Sequence, residues 1–149
     1  MKKTIVFFAL ISLLLAACSA GGEQVEKSTT GSLLVSGGSS PKTYTAGDLE
    51  KLPAAQAAFK DVQYKGVPVF TLLEDAGFDP QTVKAVKAMA SDGFSVNYDP
   101  SQFMAEDFLV AFARADGPLS DEDGSFRIVM PASEGKLNVR MLVELQVIQ

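Results

Sequence analysis

The stretch of sequence that is most informative about the fold covers residues 64–77 and reads YKGVPVFTLLEDAG. Pro68 suits the first turn of a helix, where its missing N–H costs no hydrogen bond. Apolar residues follow Pro68 at helical spacing, and Gly77 can adopt the left-handed conformation that ends many helices. The stretch therefore predicts an amphipathic helix that packs on the rest of the domain through at least one of its two leucines, Leu72 and Leu73.

Short apolar or alternating segments on both sides of this helix predict strands, and most of them are bounded by turn residues. Asp92-Gly93 predicts a hairpin, a second turn is expected at Lys65-Gly66, and Thr45 with Asp48 has the pattern of a capped helix start. The expected strands cover residues 33–35, 42–45, 59–64, 83–90, 94–98, 108–113, 126–130 and 141–148. The length of 149 residues fits a single domain.

The composition excludes several classes of site. The chain of 149 residues has no histidine and one cysteine, so it has no Ser-His-Asp triad, no Cys-His pair and no internal disulfide. The usual zinc sites are excluded for the same reason. With 18 acidic against 13 basic residues and a net charge of −5, the chain also lacks the basic balance typical of nucleic-acid-binding surfaces. We expect no nucleic acid among its partners.

The first residues have the pattern of a secretion signal. Lys2 and Lys3 precede an apolar run over residues 5–15, which is shorter than the roughly 20 residues that span a bilayer. The run ends in Leu-Ala-Ala-Cys at residues 15–18, which resembles the lipobox of bacterial lipoproteins. An ordinary signal peptide with a cysteine near its end is the alternative.

We therefore expect three segments. Residues 1–17 would be a lipoprotein signal peptide, and residues 18–32 would comprise a lipidated Cys18, with palmitate among its acyl chains, and a flexible polar tether. Residues 33–149 would form the folded domain. The expected location is the bacterial cell envelope, on the periplasmic face or the cell surface, with the lipid anchor in the membrane.

Four short motifs, in this order, resemble the molybdopterin-binding domain of the sulfite oxidase family. The first is the opening stretch, which matches the family's aromatic-x-Gly-Val motif with its following Leu-Leu and Ala-Gly. The second is Ser-Asp-Gly-Phe-Ser, close to the family's Asp-Gly-Tyr-Ser hairpin. The third pairs Gly-Pro-Leu with Gly-Ser-Phe-Arg-Ile-Val-Met-Pro, and the fourth is a glycine followed by Val-Arg-Met-Leu. They occupy residues 64–77, 91–95, 117–131 and 135–142.

The resemblance implies a single α+β domain with the mixed-sheet sulfite oxidase-type molybdopterin-binding fold and a deep pterin groove. It also implies that the redox enzymes bind molybdenum through one cysteine thiolate between the first helix and the aromatic-Gly-Val motif. In this chain that interval, residues 53–64, contains no cysteine. Leu137 and Asn138 occupy positions where the oxidases have Arg and His. A soft thiolate has no equivalent among the remaining side chains, so we expect no resident cofactor. Molybdopterin is the cofactor that the family resemblance would allow.

The candidate cofactor-binding residues are Arg127, Gly135, Lys136 and Arg140. Arg127 and Arg140 lie on either side of one loop, and a guanidinium suits phosphate or carboxylate groups. If the two converge without carboxylates, they would offer an anion site. The alternative is that they tie loops together through acids such as Asp121 or Asp123.

Other polar residues have less specific interpretations. The acidic stretch over residues 119–124 has Leu119 and Met130 where a calcium loop has its first and last acids, and it is interpreted as a solvated turn. Tyr44, Tyr64 and Tyr98 are candidates for lining a groove, with Tyr64 as a wall residue rather than a catalyst. No catalytic residue and no metal ligand is assigned.

Three functions remain open. The interpretation that we favour is a catalytically degenerate domain, acting as a binding or accessory module for a small anionic ligand or a partner protein. The second is a molybdenum cofactor-dependent oxidoreductase with unconventional metal ligation or a thiolate borrowed from a partner. The third is a structural envelope lipoprotein.

Overall fold

The computed structural model of this protein describes residues 31–149. The expected signal peptide, Cys18 and nearly all of the tether lie outside the described residues. Residues 31–149 form strands β1 (Leu33–Ser36), β2 (Lys42–Tyr44), β3 (Ala55–Phe59), β4 (Val62–Pro68), β5 (Ala85–Ala90), β6 (Ser95–Tyr98), β7 (Leu109–Arg114), β8 (Gly117–Pro118), β9 (Arg127–Val129) and β10 (Leu142–Ile148). Their helices are α1 (Ala46–Leu49), α2 (Val69–Asp75), α3 (Pro100–Phe103) and a 3-10 helix (Gly135–Leu137). None of these helices has the length and apolar composition to cross a membrane.

The strands of the described region form two five-stranded sheets. In the first sheet the order is β2-β1-β10-β5-β6, with β1 and β10 parallel and the other neighbours antiparallel. In the second sheet β3, β4 and β7 are antiparallel neighbours, and the far edge of β7 pairs with β9 and then β8. The predicted α+β single-domain fold is confirmed.

Strand β7 is buried on both faces, and it explains the unbroken apolar run in the sequence. Val110 and Phe112 belong to the main hydrophobic core, which combines residues of both sheets and α2. Leu109 and Ala111 belong to a smaller cluster on the opposite face. Successive side chains of a strand point to opposite faces, so a strand covered on both sides is apolar throughout. β7 therefore links the two clusters.

Helix α2 is the element that residues 64–77 predicted. It begins after Pro68, and Gly77 has a φ of 89° just beyond its end. Leu72 and Leu73 are both fully buried in the main core. The start of α1 also matches its prediction: the hydroxyl of Thr45 accepts a hydrogen bond from the backbone of Asp48, whose carboxylate accepts one in return.

The single strand predicted over residues 59–64, with a turn at Lys65-Gly66, is wrong. The chain turns earlier, at Lys60-Asp61, where Lys60 has a φ of 54°, and Phe59 pairs with Val62 across the hairpin. The alanine-rich residues before the turn become β3. Gly66 lies inside β4 at a register shift. This position requires glycine because a Cβ there would overlap the carbonyl oxygen of Val110. A glycine that indicates a turn in sequence is here a site of close backbone approach.

Helix α2 yields a stability prediction. Leu72→Ala and Leu73→Ala should each lower the free energy of unfolding by about 2–5 kcal/mol, because each leaves a cavity in a close-packed core. Glu74→Ala, on the exposed side of the same helix, should change it by less than about 0.5 kcal/mol. Urea denaturation of the three variants measures the difference. Equal stabilities of the leucine variants and the control would contradict the packing of α2.

Candidate functional site

A buried ion pair lies at the centre of the region that the sequence marked as a site. Nη1 of Arg127, on β9, donates to Oδ1 of Asp123 at 2.7 Å and to the hydroxyl of Tyr64 at 2.8 Å. The exposed fractions of the Arg127 and Asp123 side chains are 5% and 4%. The guanidinium carbon also lies 4.6 Å from the centre of the Tyr64 ring, within range of a cation–π interaction. Arg127 is therefore held on two sides.

The second carboxylate oxygen of Asp123 also accepts hydrogen bonds. Nη2 of Arg114, at the end of β7, donates to Oδ2 of Asp123 at 3.0 Å, and the Ser120 hydroxyl donates to the same oxygen at 2.7 Å. One carboxylate thus joins two guanidiniums and a hydroxyl. These contacts supply the partners that a buried charge requires.

Two neighbouring grooves open beside this network. The first, here the Phe94 groove, has a volume of about 570 Å³, and Phe94 and Lys136 contribute to its walls. The second, the Tyr64 groove, has a volume of about 390 Å³, and Tyr64, Arg114, Asp123 and Arg127 line it. The two grooves share a wall formed by Glu122, Gly135, Asn138 and Arg140.

The structure places all four candidate cofactor-binding residues at these grooves. Arg127 lines the Tyr64 groove, Lys136 lines the Phe94 groove, and Gly135 and Arg140 line both. Each cation has a carboxylate partner: Arg140 contacts Glu122 at 3.2 Å and Lys136 contacts Glu134 at 2.8 Å, both pairs being exposed. Arg127 and Arg140 therefore share a groove without offering an uncompensated charge. Arg127 fits the alternative interpretation, an arginine that ties loops together through an acid, because its partner is Asp123. Binding of a cofactor by these residues stays a prediction.

The residues at the two departures from the family pattern have structural roles. The carbonyl of Leu137 accepts a 2.6 Å hydrogen bond from the Tyr98 hydroxyl. The side chain of Asn138 is buried and closes the preceding loop, since its Oδ1 accepts from the backbone N–H of Met130 at 2.8 Å and its Nδ2 donates to Ser133. Both positions now hold the loop beside the grooves.

Two of the three tyrosines and one residue of the acidic turn differ from their sequence interpretations. Only Tyr64 of the three tyrosines is among the groove-lining residues described above, while Tyr44 and Tyr98 are buried in the main core. Asp123 is not part of a solvated turn, because it is 3% exposed. Sequence reasoning missed Arg114, Lys60 and Ser120. A charged residue directly after an apolar strand was the available signal for Arg114.

The fold and the grooves define an α+β domain of one mixed and one antiparallel sheet, with two grooves lined by charged, polar and apolar side chains. The family model of the oxidoreductase molybdopterin binding domain matches residues 23–149. The chain belongs to this family, as the four motifs indicated.

A solved structure shows the same fold. The sulfane dehydrogenase SoxCD from Paracoccus pantotrophus is similar over 81% of this chain, with a TM-score of 0.68 and 22% sequence identity. This chain spans 39% of the length of that one. No curated protein matches the chain in sequence.

The donor set of this chain does not fit the molybdenum centre that the family implies. The sole cysteine, Cys18, precedes the matched residues 23–149. The β3–β4 hairpin, which occupies the interval expected to supply the thiolate, lines the Tyr64 groove with Phe59, Lys60 and Val62. Within residues 31–149, no three His, Cys, Asp or Glu side chains are grouped so that they could hold a metal ion. The Tyr64 groove therefore contains no soft sulfur ligand for molybdenum.

The buried ion pair yields a second stability prediction. Asp123→Ala should lower the free energy of unfolding by about 3–5 kcal/mol, because it leaves a buried guanidinium without its counter-charge. Glu122→Ala, which removes the exposed partner of Arg140, should cost less than about 1 kcal/mol. Chemical denaturation of both variants tests this. Similar small losses would show that the Asp123 network is not structural.

The same carboxylate predicts a pH dependence. Burial acts to raise the pKa of Asp123, but hydrogen bonds from Ser120 and Arg114 and the charge of Arg127 outweigh it, so the pKa lies below its usual value. The stabilisation is complete above the unfolded-state pKa of about 4 and is lost as the pH falls toward the lower folded-state pKa. The stability gap between wild type and Asp123→Asn should therefore be smaller at pH 3 than at pH 7. A gap that widens in acid would contradict this assignment.

Proposed function

We propose that this protein is a binding member of the molybdopterin-binding domain family, without the molybdenum redox activity of the family's enzymes. Its role would be to hold a small molecule or a partner protein at the grooves beside Arg127. The absence of any cysteine in residues 23–149 supports this proposal. So does the composition of the Tyr64 groove, whose side chains are hard oxygen and nitrogen donors and apolar groups.

The proposal rests chiefly on the hydrogen bonds that the Asp123 carboxylate accepts. Its two carboxylate oxygens accept hydrogen bonds from Arg114, Arg127 and Ser120. A carboxylate that ligates a metal must direct a lone pair at it, and two neighbouring guanidiniums repel a cation. Asp123 therefore supports the walls of the groove instead of supplying a ligand.

We further propose that the domain is held outside the cytoplasm by a lipid on Cys18. The support is the sequence of residues 2–18, with its basic start, its short apolar run and its Leu-Ala-Ala-Cys end. Two or more acyl chains bury enough methylene groups for stable anchoring. The membrane would then be the first partner of the protein, and the grooves would face the periplasm or the exterior.

Metal analysis tests the binding role. The full-length chain, purified from a bacterial host that makes the molybdenum cofactor, should contain no molybdenum by mass spectrometry and show no cofactor absorption. A thiolate-containing family member from the same host is the matched positive control. Stoichiometric molybdenum in this protein would overturn the proposal and establish the oxidoreductase alternative with unconventional ligation.

Fatty-acid labelling tests the anchor. Wild-type protein expressed with labelled palmitate should become labelled and fractionate with membranes, because the thiol of Cys18 accepts the lipid. Cys18→Ala should remain an unlabelled precursor, whereas Ser19→Ala should be labelled like the wild type. Undiminished labelling of Cys18→Ala would exclude lipidation at this residue.

A further inference from the structure

The Tyr64 groove has more positive than negative side chains, although the chain as a whole has a net charge of −5. Its four cations and two carboxylates are Lys60, Arg114, Arg127, Arg140, Glu122 and Asp123. The neighbouring Phe94 groove is balanced, with Lys136 and Arg140 against Asp92 and Glu122. The surplus charge therefore belongs to one groove only, and a groove of one sign attracts ligands of the opposite sign.

The surplus positive charge of the Tyr64 groove can be assigned to two side chains. Arg127 and Arg140 have Asp123 and Glu122 as partners. Arg114 shares Asp123 with Arg127 and also lies near the charge of Asp116. The Nε of Arg114 is a buried polar atom without a hydrogen-bond partner among residues 31–149. Lys60 makes no ion pair with a residue of the described region, and its ammonium lies 5.6 Å from the centre of the Phe59 ring. Lys60 and Arg114 are thus the cations with capacity for a further anion.

The groove also has an apolar side. Phe59 and Val62 line it together with the ring of Tyr64, and its volume of about 390 Å³ is within the range of small-molecule sites. An inorganic anion would leave most of this space unfilled. The lining suits a molecule with one anionic group and a small apolar body.

We propose that the Tyr64 groove binds a small organic anion, with its phosphate or carboxylate group at Lys60 and Arg114 and its apolar body against Phe59 and Val62. The buried ion pair of Arg127 and Asp123, together with Tyr64, lines the same groove. This inference rests on the proposed binding function, and it names the ligand class that such a function would use.

Phenyl phosphate is the probe, titrated into the full-length chain in detergent by calorimetry. Lys60→Asn removes one charge at a position with a φ of 54°, which Asn tolerates, and it should weaken binding about tenfold, as for the loss of one charge-assisted hydrogen bond. Arg114→Gln should weaken binding at least as much. The matched control is Lys51→Gln, which removes an exposed lysine that lines neither groove and should leave the affinity unchanged.

Two further probes separate the parts of the site. Inorganic phosphate should bind more weakly than phenyl phosphate because it lacks the apolar body, and benzoate shows whether a carboxylate replaces the phosphate. The absence of saturable binding of both phenyl phosphate and benzoate would overturn the inference, and so would a loss in Lys51→Gln equal to that in Lys60→Asn. A molybdenum-free protein that binds neither probe would leave the proposed binding role standing. Stoichiometric molybdenum would defeat that role whatever the probes do.

Discussion

The ion pair between Asp123 and Arg127 connects the parts of the molecule that form the grooves. Through hydrogen bonds, Asp123 joins Arg114 at the end of β7 to Arg127 on β9, and Arg127 reaches Tyr64 on β4. The backbone carbonyl of Asp123 also accepts a 2.8 Å hydrogen bond from Met141, just before β10 of the other sheet. Two charges out of water are costly, and their mutual contacts offset that cost only while all partners remain. The network therefore requires both sheets to hold their relative positions.

This requirement also limits the chemistry of the site. A carboxylate committed to two guanidiniums does not serve as a metal ligand, and the hairpin beside it supplies a phenyl ring and an ammonium group where a thiolate would be needed. The fold of the family is present, and residues 23–149 contain no cysteine that could supply the thiolate. Lys60 and Arg114 supply positive charge beside apolar walls in the Tyr64 groove, and the proposed anion binding rests on this arrangement.

Much of the fold could be predicted from short-range patterns. The helix after Pro68, the capped start at Thr45 and the hairpin at Asp92-Gly93 depend on residues close in sequence, and all three are confirmed. The β3–β4 hairpin was mispredicted because Lys60 has no special tendency toward positive φ, whereas Gly66 resembles a turn residue. Gly66 is required by the backbone of β7, which lies more than forty residues further along the chain.

Four short motifs were enough to predict the family, the α+β class and the candidate arginines, and composition excluded histidine chemistry and an internal disulfide. The tertiary structure was needed to show that β10 lies between β1 and β5 and that Asp123 is buried. It alone distinguished Arg127, held inside, from Arg140, exposed at the rim. Burial and charge pairing depend on which distant segments meet. The charge of a groove is a sum over residues that are remote in sequence, so no local pattern reveals it.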